Sequence, residues 1–251
     1  MAAGTITIGD LEVNRLGFGA MRITGEGIWG PPRDHDECIR VLRRAVELGV
    51  TLIDTADSYG PNVSEELIAE ALYPYPDGLV IATKGGKVRP GPGRWVDDGR
   101  PEHLREACDG SLARLRLERI DVYQLHAPDR KVALEESVGA LKSLQDQGKI
   151  RHIGLSNVSV EELERAEKIV PIVSVQNLYH ADDRSSEDVL RACEARGIPF
   201  LPWFPLGAGR AASPVDALAD LLHRSPVMLP IPGTSSVAHL EENMRAADLV
   251  D

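Results

Sequence analysis

Three short apolar runs each end on a side chain that can hold or move a proton. The stretch Leu52–Gly60, LIDTADSYG, leads through two apolar residues to Asp54 and places Tyr59 five residues later. LVIATK (79–84) ends on Lys84, and IDVYQLH (120–126) ends on His126. A phenol with an ordinary pKa near ~10 is a poor acid–base catalyst at neutral pH. A neighbouring ammonium stabilises the phenolate, and an imidazole can hydrogen-bond the same oxygen. Asp54 would keep Lys84 charged and in place. Such a set is a general acid able to protonate a carbonyl oxygen as hydride arrives at carbon. Each residue taken singly has a plainer reading: a structural histidine, an Asp–Lys pair that fixes geometry, a tyrosine that packs with a wet hydroxyl. Which reading holds depends on whether the chain brings the four together.

The elements that would position them alternate. TITIGDLEVNRL alternates around Gly9-Asp10 and predicts a short β-hairpin. After it come LGFGAM (16–21) and a helix near 34–48, LID (52–54) and a helix near 63–72, LVIATK and a helix near 101–117, and IDVYQLH and a helix near 133–147. IRHIGLS (150–156), IVSVQ (172–176) and IPFLPWF (198–204) each precede a further helical run, and VMLPIP (227–232) precedes HLEENMRAADL. Eight strand-then-helix units with no fixed repeat and no linker predict a single domain over 1–251. Its expected fold is an α/β (β/α)8 TIM barrel preceded by the hairpin. The alternative, a doubly wound sheet, is disfavoured because GFGAMR lacks the third glycine of the dinucleotide fingerprint and opens no helix.

In such a barrel the site lies at the C-terminal ends of the strands, and alternate residues point inward. Lys84 inward carries Ala82 and Val80 with it, His126 carries Val122 and Ile120, and Leu52 lies beneath Asp54. Gln176 and Trp203 end the sixth and seventh strands. Asp54, Tyr59, Lys84 and His126 are thereby expected at one mouth.

Composition bounds the class. With 251 residues, 43% of them hydrophobic, the chain can bury a sizeable core. A net charge of −11 argues against a nucleic-acid partner and gives no sign of membrane attachment. MAAGTITIGD has neither a charged n-region nor a long apolar stretch. Cys38, Cys108 and Cys193 are isolated thiols inside predicted helices, as expected of buried residues in a reducing cytoplasm. The seven histidines show no HxxxH or HxH spacing, so no metal is expected.

IDTADSYG, IATKGG, YQLHAPD, GLSNVS, VQNLYH, PWFPLG and LPIPGTSSVAHLEEN, in this order over almost the whole chain, resemble the aldo-keto reductase family. They are most similar to its bacterial branch, including pyridoxal-reductase-like members. The resemblance implies reduction of an aldehyde or ketone to an alcohol with NADPH, NADH not being excluded. Tyr59 would be the proton donor, supported by Lys84, His126 and Asp54. Ser156, Asn157 and Gln176 would hold the nicotinamide, and Trp203 would stack on it. Gly233, Thr234, Ser235 and Ser236, with His239, Glu242 and Asn243, would wrap the adenosine end. Helix-start N–H groups fit such an anion-binding role. The resemblance adds Gly19, Met21, Phe204, Pro205, Leu206, Gly207, Arg210 and Ile231 to the cofactor line.

The chain also departs from the family pattern. Gly233 and His239 stand where many members place a lysine and an arginine on the 2′-phosphate. Only LGAGRAASP separates the seventh strand from the next helix, so the region between the seventh and eighth strands is shortened. Arg210 is the remaining nearby cation.

All three tryptophans follow predicted strand ends, and Trp29 and Trp95 are candidates for a substrate pocket with a flat or apolar face; the competing reading is that they pin Gly/Pro-rich loops. The partner is then a small-molecule carbonyl compound. Two other functions fit part of the pattern: a class I aldolase with Lys84 as Schiff-base nucleophile, and a cofactor-binding protein with little turnover.

Overall fold

The alternation around Gly9-Asp10 forms an antiparallel hairpin, β1 (Thr5–Ile8) and β2 (Leu11–Asn14), with Ile8 opposite Leu11. It is seen in a computed structural model that describes residues 3–207 and 209–250. Ile8 and Val13 pack against Leu52, Val80 and Leu229, so the hairpin fills one end of the barrel interior.

Seven parallel strands follow: β3 (Phe18–Gly19), β4 (Leu52–Asp54), β5 (Val80–Gly85), β8 (Ile120–Leu125), β9 (Ile150–Ser156), β10 (Ile172–Leu178) and β11 (Phe200–Trp203). They pair in chain order from β3 to β11. Between β5 and β8 lie two further short strands, β6 (Lys87–Gly91) and β7 (Arg94–Asp97). The helices are α1 (His35–Glu47), α2 (Val63–Leu72), α3 (Pro101–Leu115), α4 (Leu134–Asp146), α5 (Val160–Glu167), α6 (Glu187–Arg196), α7 (Pro214–Arg224) and α8 (Val237–Met244).

Local sequence explains the helices. In α1, Asp34 caps the start by accepting from the Glu37 amide at 2.9 Å. Cys38, Val41, Leu42 and Ala45 then recur at helical spacing and are buried. α5 begins with a capping box between Ser159 and Glu162. Cys38, Cys108 and Cys193 are free and buried in α1, α3 and α6. No helix among the described residues is long and apolar enough to cross a membrane.

The (β/α)8 barrel closes in an unexpected way. VMLPIP forms no regular eighth strand, because Pro230 and Pro232 lack the N–H a ladder needs. Their carbonyls instead accept from Gly17 at 2.9 Å and Gly19 at 3.4 Å, while Met228 bridges Phe200 on the other side. The Gly/Pro-rich stretch after Lys84, expected as a loop, is the β6–β7 hairpin turning at Pro92-Gly93. Ile120 also differs from expectation. At the first position of β8 it packs on the helix side with Leu141 and Ile150, while Ile8 and Val13 occupy the interior. After β3 the chain makes a single 3-10 turn, Ala20–Ile23.

Candidate active site

β4 and β5 lie side by side, and their last inward residues meet. Lys84 Nζ donates to Asp54 Oδ2 at 2.6 Å, to the Thr55 carbonyl at 2.8 Å and to the Tyr59 hydroxyl at 3.4 Å. All three ammonium donors are used, and Lys84 is 0% exposed. Burial favours the neutral amine, but the charge of Asp54 prevails and holds the Lys84 pKa above its ordinary value. Two amides complete the carboxylate shell: Gln124 and Gln176 each donate from Nε2 to Asp54 Oδ1, at 2.9 and 2.8 Å. A charge removed from water needs such compensation.

Tyr59 is buried with its ring edge-on to His126, centroids 5.8 Å apart. Burial raises the phenol above its ordinary pKa, against the pull of the Lys84 charge, so Tyr59 stays protonated at neutral pH. His126, the residue after β8, is held well below its ordinary pKa by burial and then by the charges of Lys84 and Lys87. Its ring is therefore neutral, with Nδ1 3.3 Å from the Ser58 hydroxyl.

Tyr59 and His126 open onto a cleft of about 1280 Å3. It runs from Trp95 past Ser156, Asn157 and Gln176 to the start of α8. Trp203, Phe204, Pro205, Leu206, Ile231, Gly19, Met21, Gly233, Thr234, Ser235, His239, Glu242 and Asn243 also line it, with Gly19 beside Asp54 on the neighbouring strand. Asn157 links the walls: its Nδ2 donates to the His126 carbonyl at 2.9 Å, and its Oδ1 accepts from the Trp203 indole at 3.0 Å. Asn157 and Phe204 both adopt left-handed backbone, φ 59 and 54. That conformation is costly for a bulky Phe and frequent at functional sites. At Gly19 and Gly233 the strand-end segments come so close that a Cβ on Gly19 would lie 2.6 Å from the Ile231 carbonyl.

Other expected residues lie elsewhere. Lys84 sits behind Tyr59 and lines no part of the cleft. Gly207 and Arg210 are outside it, because the short segment after β11 curls back on Leu206, whose carbonyl accepts from the Arg210 amide at 3.1 Å. Ser236 is the α8 N-cap, donates its N–H to Thr234 Oγ1 at 3.1 Å and does not line the cleft. The next amide, Val237, donates to Glu37 Oε1 at 2.9 Å, so that part of the helix start is taken by a carboxylate. Trp29 is also outside the cleft and lies 5.5 Å from the Arg89 guanidinium.

Several residues escaped the sequence reading. Gln124 shares the inward parity of Val122 and His126, and that parity would have found it. Arg22, the cation beside Gly233 in the cleft, follows Met21 directly. Asp57 lies in the quoted stretch, and burial followed by the charge of Glu65 pushes it up to about 8.

The chain is similar in sequence and fold to known proteins. The aldo/keto reductase family profile matches residues 15–216. An uncharacterized oxidoreductase of Schizosaccharomyces pombe is 50% identical over 263 residues, covering 98% of this chain and 86% of that protein. Pyridoxine 4-dehydrogenase of Escherichia coli is 44% identical over 271 residues, covering 99% and 94%. Among solved structures, an aldo-keto reductase of Klebsiella pneumoniae in complex with NADPH has a TM-score of 0.80 at 28% identity, covering 98% of this chain and 90% of that one.

Proposed function

The chain belongs to the aldo/keto reductase family, and from that premise we propose that it reduces an aldehyde or ketone to an alcohol with NADPH, Tyr59 giving the proton. The observation that carries the reading is the contact of Lys84 with both Asp54 and the Tyr59 hydroxyl, at the edge of a cleft large enough for a dinucleotide and a substrate.

The donor set fits that cofactor. Ser156 and Asn157 offer amide-binding groups near Tyr59, and Thr234, Ser235 and Asn243 offer hydroxyl and amide groups farther along. Arg22, beside Gly233 in the cleft, supplies the cation for the adenosine end, a role expected of Arg210. When bound, NADPH supplies the hydride that reaches the carbonyl carbon. Tyr59 passes its proton to the carbonyl oxygen, leaving a phenolate that the Lys84 ammonium stabilises until solvent returns a proton. Neutral His126 can donate one ring N–H to the same oxygen, and its other ring nitrogen faces Ser58. Trp203, tied by its indole N–H to Asn157, presents a fixed ring to the cleft.

An aldolase acting through Lys84 is disfavoured, because all three ammonium donors are engaged and the nitrogen lies behind Tyr59. Pyridoxal is the first substrate to test, since one relative is a pyridoxine 4-dehydrogenase. Free, buried cysteines suit a cytoplasmic enzyme. The test is NADPH consumption by the pure protein with pyridoxal and a panel of aldehydes and ketones. Turnover that vanishes in Tyr59→Phe supports the proposal. No consumption with any carbonyl compound, despite NADPH binding, would favour the cofactor-binding alternative.

A further inference from the structure

Arg89, in β6, is 8% exposed, yet its hydrogen-bond acceptors among the described residues are all main-chain carbonyls. It donates to Ile28 at 2.8 Å, Ser58 at 3.0 Å, Arg94 at 3.1 Å and Gly27 at 3.2 Å. One guanidinium thus joins three segments: the loop after β3, the turn that carries Tyr59, and the β6–β7 hairpin. Burying a cation without a carboxylate partner is expensive, and the arrangement persists because four dipoles and two aromatic rings surround it. The guanidinium carbon is 3.7 Å from the centre of the Trp95 ring and 5.5 Å from that of Trp29.

Trp95 is where this clamp reaches the chemistry. The residue is 37% exposed and lines the cleft, and its ring stands edge-on to Tyr59 at 6.4 Å and to His126 at 6.3 Å. Three rings, none coplanar with another, therefore bound the place where a carbonyl group must lie to reach the Tyr59 hydroxyl. A flat substrate can lie along the Trp95 ring while its carbonyl oxygen meets Tyr59 and His126; a short aliphatic one gains little from that wall.

We propose that Arg89 is a positioning residue that fixes Trp95 as the substrate wall, and that it sets a preference for planar, aromatic aldehydes over small aliphatic ones. The inference rests on the reductase reading and adds to it the origin of substrate preference. Lysine cannot replace the arginine, because a single point charge cannot reach four carbonyls and stack on a ring.

The experiment compares wild type, Arg89→Lys, Arg89→Ala and Trp95→Leu with pyridine-4-carboxaldehyde and with propanal, alongside the Kd for NADPH from tryptophan fluorescence. For all three variants, KM for the aromatic aldehyde should rise ~10-fold and the ratio of kcat/KM for that aldehyde to kcat/KM for propanal should fall by about as much, with NADPH Kd within about threefold of wild type. Trp95→Leu serves where the Arg89 variants fail to fold, because it removes the wall and leaves the clamp. Equal losses on both aldehydes would show a merely structural arginine. Wild-type KM values in Arg89→Lys would also overturn the proposal, as would an unchanged aromatic KM in Trp95→Leu. If wild type turns over neither aldehyde nor any other carbonyl compound, the reductase reading itself falls and takes this inference with it.

Discussion

The Lys84 ammonium lies 2.6 Å from Asp54 Oδ2 and 3.4 Å from the Tyr59 hydroxyl, with Lys84 and Asp54 sealed from solvent. The two neighbours make different demands on it, and substitution should separate them. Tyr59→Phe removes the proton donor and should lower kcat by ~10^2–10^4-fold, with Tm and NADPH binding nearly unchanged. Asp54→Asn leaves a buried cation without its counter-charge and should cost about 3–5 kcal/mol of stability as well as activity. Thermal unfolding beside steady-state kinetics distinguishes the two; a Tyr59→Phe enzyme with normal kcat would remove Tyr59 from the chemistry.

His126 gives a prediction about pH. Its folded pKa is depressed by burial and nearby lysine charges, so His126 does not ionise near pH 6.5. The profile of kcat/KM should be flat from pH 6 to about 8, and a limb centred near ~6.5 would contradict the neutral donor. The linkage has one sign: below its ordinary pKa the unfolded histidine takes a proton that the folded one refuses. The stability held by neutral His126 is therefore present above pH ~6.5 and lost as pH falls below it. His126→Gln should shrink that acid-side loss in urea titrations.

Asp57 carries the opposite sign. Burial and Glu65 raise its carboxyl to about 8, while the unfolded group releases its proton near the ordinary 3.8. Between those values the folded state holds a proton that the unfolded state has lost, so Asp57 draws stability down as pH rises from about 4 to 8. Glu65 strengthens the effect; Arg114 and Lys84 weaken it. Asp57→Asn should gain on wild type by a few kcal/mol between pH 5 and about 8. Equal urea midpoints for the two proteins across that range would show that Asp57 is ionised in the folded state.

Arg22 tests the cofactor assignment. It is the arginine that reaches the cleft next to Gly233, in the region given to the adenosine end. Arg22→Ala should weaken NADPH binding ~10-fold, equivalent to about 1.4 kcal/mol, and NADH binding much less. Isothermal titration with both nucleotides checks this. Equal losses would mean that Arg22 touches a part the two share.

The sequence by itself determined most of the elements and which four residues, Asp54, Tyr59, Lys84 and His126, gather at one mouth. Period-two and period-3.6 patterns are local, and inward parity carried Asp54, Lys84 and His126 to the same end of adjacent strands. Tyr59 followed from its short distance to Asp54. What sequence could not reach depended on packing between segments far apart. Arg22 lines the cleft beside Gly233 and Arg210 does not, because the turn on Leu206 carries Arg210 away. Trp29 stands outside the cleft and Trp95 inside it, and no periodicity records which carbonyls the Arg89 guanidinium over Trp95 will find. The barrel closes through proline carbonyls where a strand was expected: Pro230 and Pro232 lack ladder N–H groups, and only the fold brings Gly17 and Gly19 across the gap to donate to their carbonyls. Tyr59 stays protonated because burial outweighs a nearby charge, and burial belongs to the folded chain alone.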